Sequence, residues 1–246
     1  MRKQFKPLTA LLAAAVLTLP SLEVARAEVP QKLPTPIAIP DNVKTTFGTL
    51  EFFDGVPTDA TVGKLYDNID RARAVEVFLD NVGALSVYSV IAGNAGIGLS
   101  QPNQIAVAEK LLDSHSLYLT GNTSTMYSIG HLDLDKYGPT VVEVPPGMLG
   151  MLDDAWMRFV GDFGVVGPDK GKGGKYLVLP PGYAGEVPKG YFVLKAPTFS
   201  NWFFMRGSIA DGLAPALKNI KDHLKVYPLK SANNPPATEF VNITGK

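Results

Sequence analysis

Cysteine is absent from all 246 residues, which excludes any disulfide, any thiolate metal site and any lipid tether through an N-terminal cysteine. Histidine is scarce. His115, His131 and His223 are scattered, with no H-E-x-x-H, so neither a zinc site nor any other metal or cofactor is called for. Other signatures fail on order or spacing. "GNAGIG" arranges its glycines as G-x-x-G-x-G, the wrong order for a dinucleotide turn, and "GPDKGKGGK" lacks the G-x-x-x-x-G-K-[ST] spacing and reads as an exposed loop. There is no G-x-S-x-G elbow and no repeat of fixed period. An excess of basic charge is also missing: 23 Lys and Arg stand against 23 Asp and Glu, which argues against a nucleic-acid partner.

What the chain does have begins at its N-terminus. Arg2, Lys3 and Lys6 precede the apolar "LTALLAAAVLTLP", and Ala25-Arg26-Ala27 supplies an A-x-A exit, so residues 1–27 read as a secretory signal peptide. The apolar run stops at Pro20, short of the roughly 20 residues a membrane span requires. No later segment reads as long and apolar enough to cross, so no transmembrane span is expected after cleavage. The mature chain would begin at Glu28, in the periplasm or outside the cell. Loss of Arg2, Lys3, Lys6 and Arg26 against Glu23 leaves 19 basic and 22 acidic side chains, a net charge of −3. With 46% hydrophobic and 19% charged residues, the composition is that of a globular protein that relies on its core.

Residues 28–43 carry four prolines and predict an extended lead-in. "TTFGTLEFFDGVPTD" predicts a short strand pair cornered at Gly55 and Pro57. From Thr58 the period changes: Val62, Leu65, Ile69, Ala72, Val75 and Leu79 form a helical stripe, capped by Thr58 or Asp59 and stopped by Asp80-Asn81 and Gly83. A second helix is predicted over Ala84–Ala92, and a short third one in "NQIAVAEKLL". Residues 44–118 therefore read as a mainly helical subdomain.

Residues 119–229 differ in kind. "TMYSIGHLDL" alternates, with Met126, Ser128, Gly130, Leu132 and Leu134 on one side and Tyr127, Ile129, His131 and Asp133 on the other; "KYG" turns it and "TVVEVP" is read as its partner strand. Further strands are predicted at 148–152, 155–160, 176–180, 191–195 and 201–208. "DGLAPALKNIKDHLKVYPL" follows as a closing helix, with Leu213, Leu217, Ile220 and Leu224 as its stripe and Pro228 as its stop. The fold class is α+β: an N-terminal helical subdomain, an antiparallel β-sandwich of immunoglobulin-like type and a C-terminal helix. Residues 230–246 read as a linker and the first strand of something further. That strand either joins the sandwich or belongs to a following domain, which would leave an apolar face and promote self-association.

Two charged positions stand among bulky apolar neighbours, Asp154 in "GMLGMLDDAWMRF" and Arg206 in "NWFFMRGS". A charge in such a setting is usually paired, so an ion pair holding the sandwich together is the first reading. The functional reading makes Asp154 or Arg206 line a pocket, with Trp156, Tyr127 or Trp202 as a flat wall for a sugar ring or amphipathic ligand. The knot "NTST", Asn122 to Thr125, is the polar entry to a strand, since Asn and Thr bond local backbone readily.

These segments carry a resemblance. "NTSTMYSIGHLDLDKYGPTVVEVP", "LDDAW", "GKYLVLPPGYAGEVPKGY", "FFMRGSIADG", "LKVYPL" and "PPATEFVNITGK" together resemble the bacterial envelope family catalogued as domain of unknown function 1254. The resemblance implies a helical part with a β-sandwich, usually followed by domain of unknown function 1214, and no single activity. Asn122, Thr125 and Tyr127 match the family pattern. Ser124 stands where that pattern commonly has an acid, and His131 where it commonly has an aromatic. The leading functional reading is an envelope module that binds a small-molecule, glycan or protein partner through Asn122, Tyr127, Asp154, Trp156 and Arg206. The alternatives are an enzyme using Asp154 with Tyr127 or Arg206 for acid–base work on an envelope or small organic substrate, and a structural assembly subunit.

Overall fold

The computed structural model describes residues 40–101, 103–116, 118 and 121–245. The signal-peptide reading of residues 1–27, and most of the lead-in, lie outside the described residues. The chain is α+β and divides into two compact units, Met1–Asp70 and Arg71–Lys246.

In the first unit, β1 (Asn42–Thr45), β2 (Gly48–Phe53) and β3 (Val56–Pro57) form an antiparallel meander. Asp54 and Gly55 both adopt positive φ, 47° and 81°, as a tight two-residue hairpin turn requires. Helix α1 (Asp59–Gly96) starts here, and the boundary between the units falls within it. Thr58 caps it, its hydroxyl accepting the Thr61 amide at 3.3 Å.

The sequence reading broke α1 into two helices, but it runs unbroken for 38 residues. Asn81 turns its amide back onto the Val77 carbonyl (2.8 Å) instead of ending the helix. Gly83 marks a close approach: a Cβ there would sit 2.7 Å from the Trp156 carbonyl oxygen. A glycine costs a helix only about 1 kcal/mol, which is not enough to stop it. The consequence is a second correction, because the unbroken helix is long and apolar enough to cross a membrane where the sequence reading saw no such segment. Nor does the stripe meet a core. Of its members Ile69, Ala72, Val75 and Leu79 are exposed, Leu79 to 61%, and the neighbouring Val77 and Phe78 are exposed as well.

In the second unit, "NQIAVAEKLL" holds β4 (Gln104–Val107), not a helix. Ile105, Ala106 and Val107 are fully buried, and sheet pairing overrides the weak helical pattern. Next come β5 (Thr125–Asp133), the single turn α2 (Leu134–Tyr137), β6 (Thr140–Val144), β7 (Met148–Asp154), β8 (Phe159–Gly164), β9 (Gly174–Leu179), β10 (Phe192–Lys195) and β11 (Ser200–Ser208). Then α3 (Leu213–His223) leads to β12 (Lys225–Pro228) and β13 (Glu239–Asn242). So α3 is not the last element, and "KVYP", which was assigned to it, is a strand.

The strands form a six-stranded sheet, β13-β4-β5-β11-β7-β8, and a four-stranded one, β10-β9-β6-β12. The sheets are mixed where antiparallel pairing throughout was expected, because β13 runs parallel to β4 and β10 parallel to β9. Strand β6 pairs with β9 and β12, not with β5 as the hairpin reading had it. The terminal segment joins the sheet already built: the Ile243 amide donates to the Val107 carbonyl at 3.0 Å, and Ile243 is fully buried.

One face of the six-stranded sheet, with Met126, Leu132, Leu152, Phe203 and Met205, shares a core with Val142, Tyr176 and Val226 of the other sheet and with Ile220 of α3. Gly130 is indispensable there, since a Cβ would fall 2.2 Å from two carbons of the Phe203 ring. Buried Asp169 ties the Gly/Lys loop to this core, accepting from the Tyr176 hydroxyl and from the Gly173 amide at 3.0 Å.

Candidate functional site

Opposite residues of an antiparallel pair share a face, so register fixes what the outer side of the six-stranded sheet presents. Trp202, Phe204 and Arg206 of β11 lie between His131, Ile129 and Tyr127 of β5 and Asp153, Met151 and Leu149 of β7, and Asp162 of β8 stands opposite Met151. The end of α1 and the residue that follows it cover part of this face, with Val90 and Ile97 packed against the cluster that holds Tyr127, Ile129 and Ile243. What it leaves uncovered is a cavity of about 680 Å³ walled by Ser86, Val90, Tyr118 and Met157 and floored by the β5, β11, β7 and β8 side chains.

The lining is mostly apolar, and both of its tyrosine hydroxyls meet protein partners. The Tyr118 hydroxyl donates to Asn94 Oδ1 at 2.6 Å, and burial raises its pKa, so it keeps its proton. The Tyr127 hydroxyl oxygen accepts the Asn122 amide at 2.7 Å. Arg206 is different. Its guanidinium lies 5.8 Å from the Tyr127 ring centre and 5.5 Å from that of Phe204, two rings themselves 4.6 Å apart, and among the described residues it makes no ion pair.

Of the residues singled out from sequence, Tyr127 and Arg206 line the cavity together. Asn122 does not line it. Its Oδ1 accepts the amides of Ser124 (2.9 Å) and Thr125 (2.8 Å) and both their hydroxyls, so the knot is a strand-entry turn that also fixes the Tyr127 hydroxyl. At Ser124 this turn uses only an amide and a hydroxyl.

Asp154 is not paired with Arg206. It stands opposite Asn201, on the other face and five residues along β11 from Arg206. Its partner is Arg158, four residues on in the β7–β8 turn: Nε and one terminal nitrogen both donate to Oδ2 at 2.7 Å, while Oδ1 accepts the amides of Trp156 (2.8 Å) and Arg158 (3.0 Å). The carboxylate is completely enclosed and does not line the cavity above. Trp156 is 45% exposed in the same turn, stacked near the Arg158 guanidinium, and the flat wall is Trp202 instead. Sequence reasoning missed Ile129, Met151, Asp162 and Phe204. Ile129 and Phe204 could have been found by stepping two residues along the strand from Tyr127 and Arg206.

Of the carboxyls on this face, Asp162 lines the cavity, whereas Asp153 is buried and does not. Burial first, and the neighbouring Asp154 second, push the Asp153 pKa above the ordinary carboxylate range. His131, held to the Ser200 hydroxyl at 2.9 Å, has its pKa lowered by burial.

An α+β chain of this kind, with a mostly apolar cavity on one sheet face, defines a class by architecture more than by chemistry. The model of the family described as "Protein of unknown function (DUF1254)" matches residues 102–228, and the chain belongs to that family. Among solved structures it is similar to the VPA0106 protein from Vibrio parahaemolyticus, at 23% identity and a TM-score of 0.41, over 51% of this chain and 33% of that one. The match thus spans about a third of that protein's length. No curated protein matches the chain in sequence.

Proposed function

We propose that the chain is a binding module whose site is the cavity on the outer face of the six-stranded sheet, and that it takes an apolar small molecule. The observation that carries this reading is the cavity itself. At about 680 Å³ and lined by aromatic and aliphatic side chains with few polar groups, it has the size and chemistry of a small-molecule site. The rival reading as an enzyme using Asp154 for acid–base work is less well supported, because Asp154 has every oxygen committed to Arg158 and local amides. In the same reading the two larger sheets act as a sandwich, a second domain follows as in the family pattern, and residues 1–27 direct the chain to the periplasm or beyond.

The test is titration with the neutral fluorophore N-phenylnaphthylamine. Saturable binding is expected, and Leu149→Trp, at a half-exposed position on the cavity floor, should weaken it strongly without lowering the melting temperature. Absence of saturable binding, or identical binding by the variant, would overturn the reading.

A further inference from the structure

We infer that the ligand is an amphipathic monoanion, a medium-chain or aryl carboxylate, with its head at Arg206 and its apolar body over Phe204, Met151 and Trp202. This rests on the cavity reading above and adds the polarity of the guest. Arg206 is a permanent cation at the margin of an apolar space, and among the described residues no carboxylate neutralises it. The rings of Tyr127 and Phe204 engage the guanidinium through their π-faces, an interaction that leaves its N–H groups available. A carboxylate matches that fork with two parallel hydrogen bonds. The other donors of the lining are neutral: the Tyr118 hydroxyl donates to Asn94, the Tyr127 hydroxyl accepts the Asn122 amide, and Trp202 Nε1 is buried, so Arg206 is the cation among the lining residues.

Asp162 orients the guest. It lies two strands across and two residues along from Arg206, about 12 Å away, and repels a like charge, so the head belongs at the Arg206 end. One cation facing one nearby acid also disfavours a dianion: a phosphate monoester would bring a second negative charge that nothing lining the cavity offsets.

The experiment is displacement of N-phenylnaphthylamine from the full chain at pH 7.5 by decanoate, decanol and decyl phosphate, repeated on Arg206→Gln. Arg206 is solvent-exposed, so the lower end of the range for charged hydrogen bonds applies, and decanoate should compete about 10-fold better than decanol. Arg206→Gln should abolish that advantage and leave decanol unchanged. Equal competition by acid and alcohol on the wild type would overturn the carboxylate assignment while leaving the cavity reading intact. Loss of both together in Arg206→Gln would do the same, by making Arg206 part of the wall. Tighter binding of decyl phosphate would overturn the monoanion. If the fluorophore never binds, and sedimentation shows a dimer that Leu149→Trp breaks, a second copy of the chain fills the cavity, and both readings fall.

Discussion

Asp154 should be energetically coupled to Arg158 and independent of Arg206, and a pair of double-mutant cycles measures both. In Asp154→Asn the amide oxygen can still accept the Trp156 and Arg158 amides, but an NH2 group replaces the oxygen that takes two guanidinium hydrogen bonds. A hydrogen bond to a charged group contributes about 1.5–3 kcal/mol. Arg158 is 64% exposed, so water competes for it, and the coupling between Asp154→Asn and Arg158→Met should be about 1–2 kcal/mol. With the misplaced amide included, Asp154→Asn alone should cost about 2–3 kcal/mol. For a chain of this size that lowers the melting temperature by roughly 4–12 °C. Arg206→Met should cost under about 1 kcal/mol and add to Asp154→Asn within about 0.5 kcal/mol, since the two side chains lie on opposite faces and share no partner. Urea unfolding of the single and double variants gives each term. No coupling to Arg158, or more than about 1 kcal/mol to Arg206, would refute the assignment.

Two further outcomes are expected. Ile243→Glu places a carboxylate among Ala106, Tyr127 and Ile129, so it should cost several kcal/mol or release β13, seen as lost amide protection at Ile243; unchanged stability and protection would show that the strand is not docked. Asp153 has a folded pKa raised above its unfolded value, so it opposes folding once the pH passes the ordinary carboxylate range and not below it. Asp153→Asn should therefore stabilise the chain at pH 7, with the gain fading towards pH 3, and an equal gain at both pH values would rule out titration of this group as its source.

Local rules were enough where one strand or one turn decides the outcome. The alternation of Thr125–Asp133 alone separates Met126 and Leu132, which face the shared core, from Tyr127 and Ile129, which face the cavity, because successive strand residues point to opposite sides. The Asn122 knot is legible for the same reason, since its bonds reach no further than Tyr127. Tyr127 and Arg206 were both singled out from sequence, but their meeting depends on the β5–β11 register. The rest needed the tertiary structure. Gly83 reads as a stop until the Trp156 carbonyl shows why a side chain is excluded there. The segment after Pro102 reads as a helix until β5 and β13 take its backbone hydrogen bonds. Asp154 reads as needing a distant cation because its neighbours are apolar, yet a turn that folds back within four residues brings Arg158 to it. Pairing partners of a strand, and the space left above a sheet, are set by contacts far apart in the chain, and no local pattern of residue types encodes them.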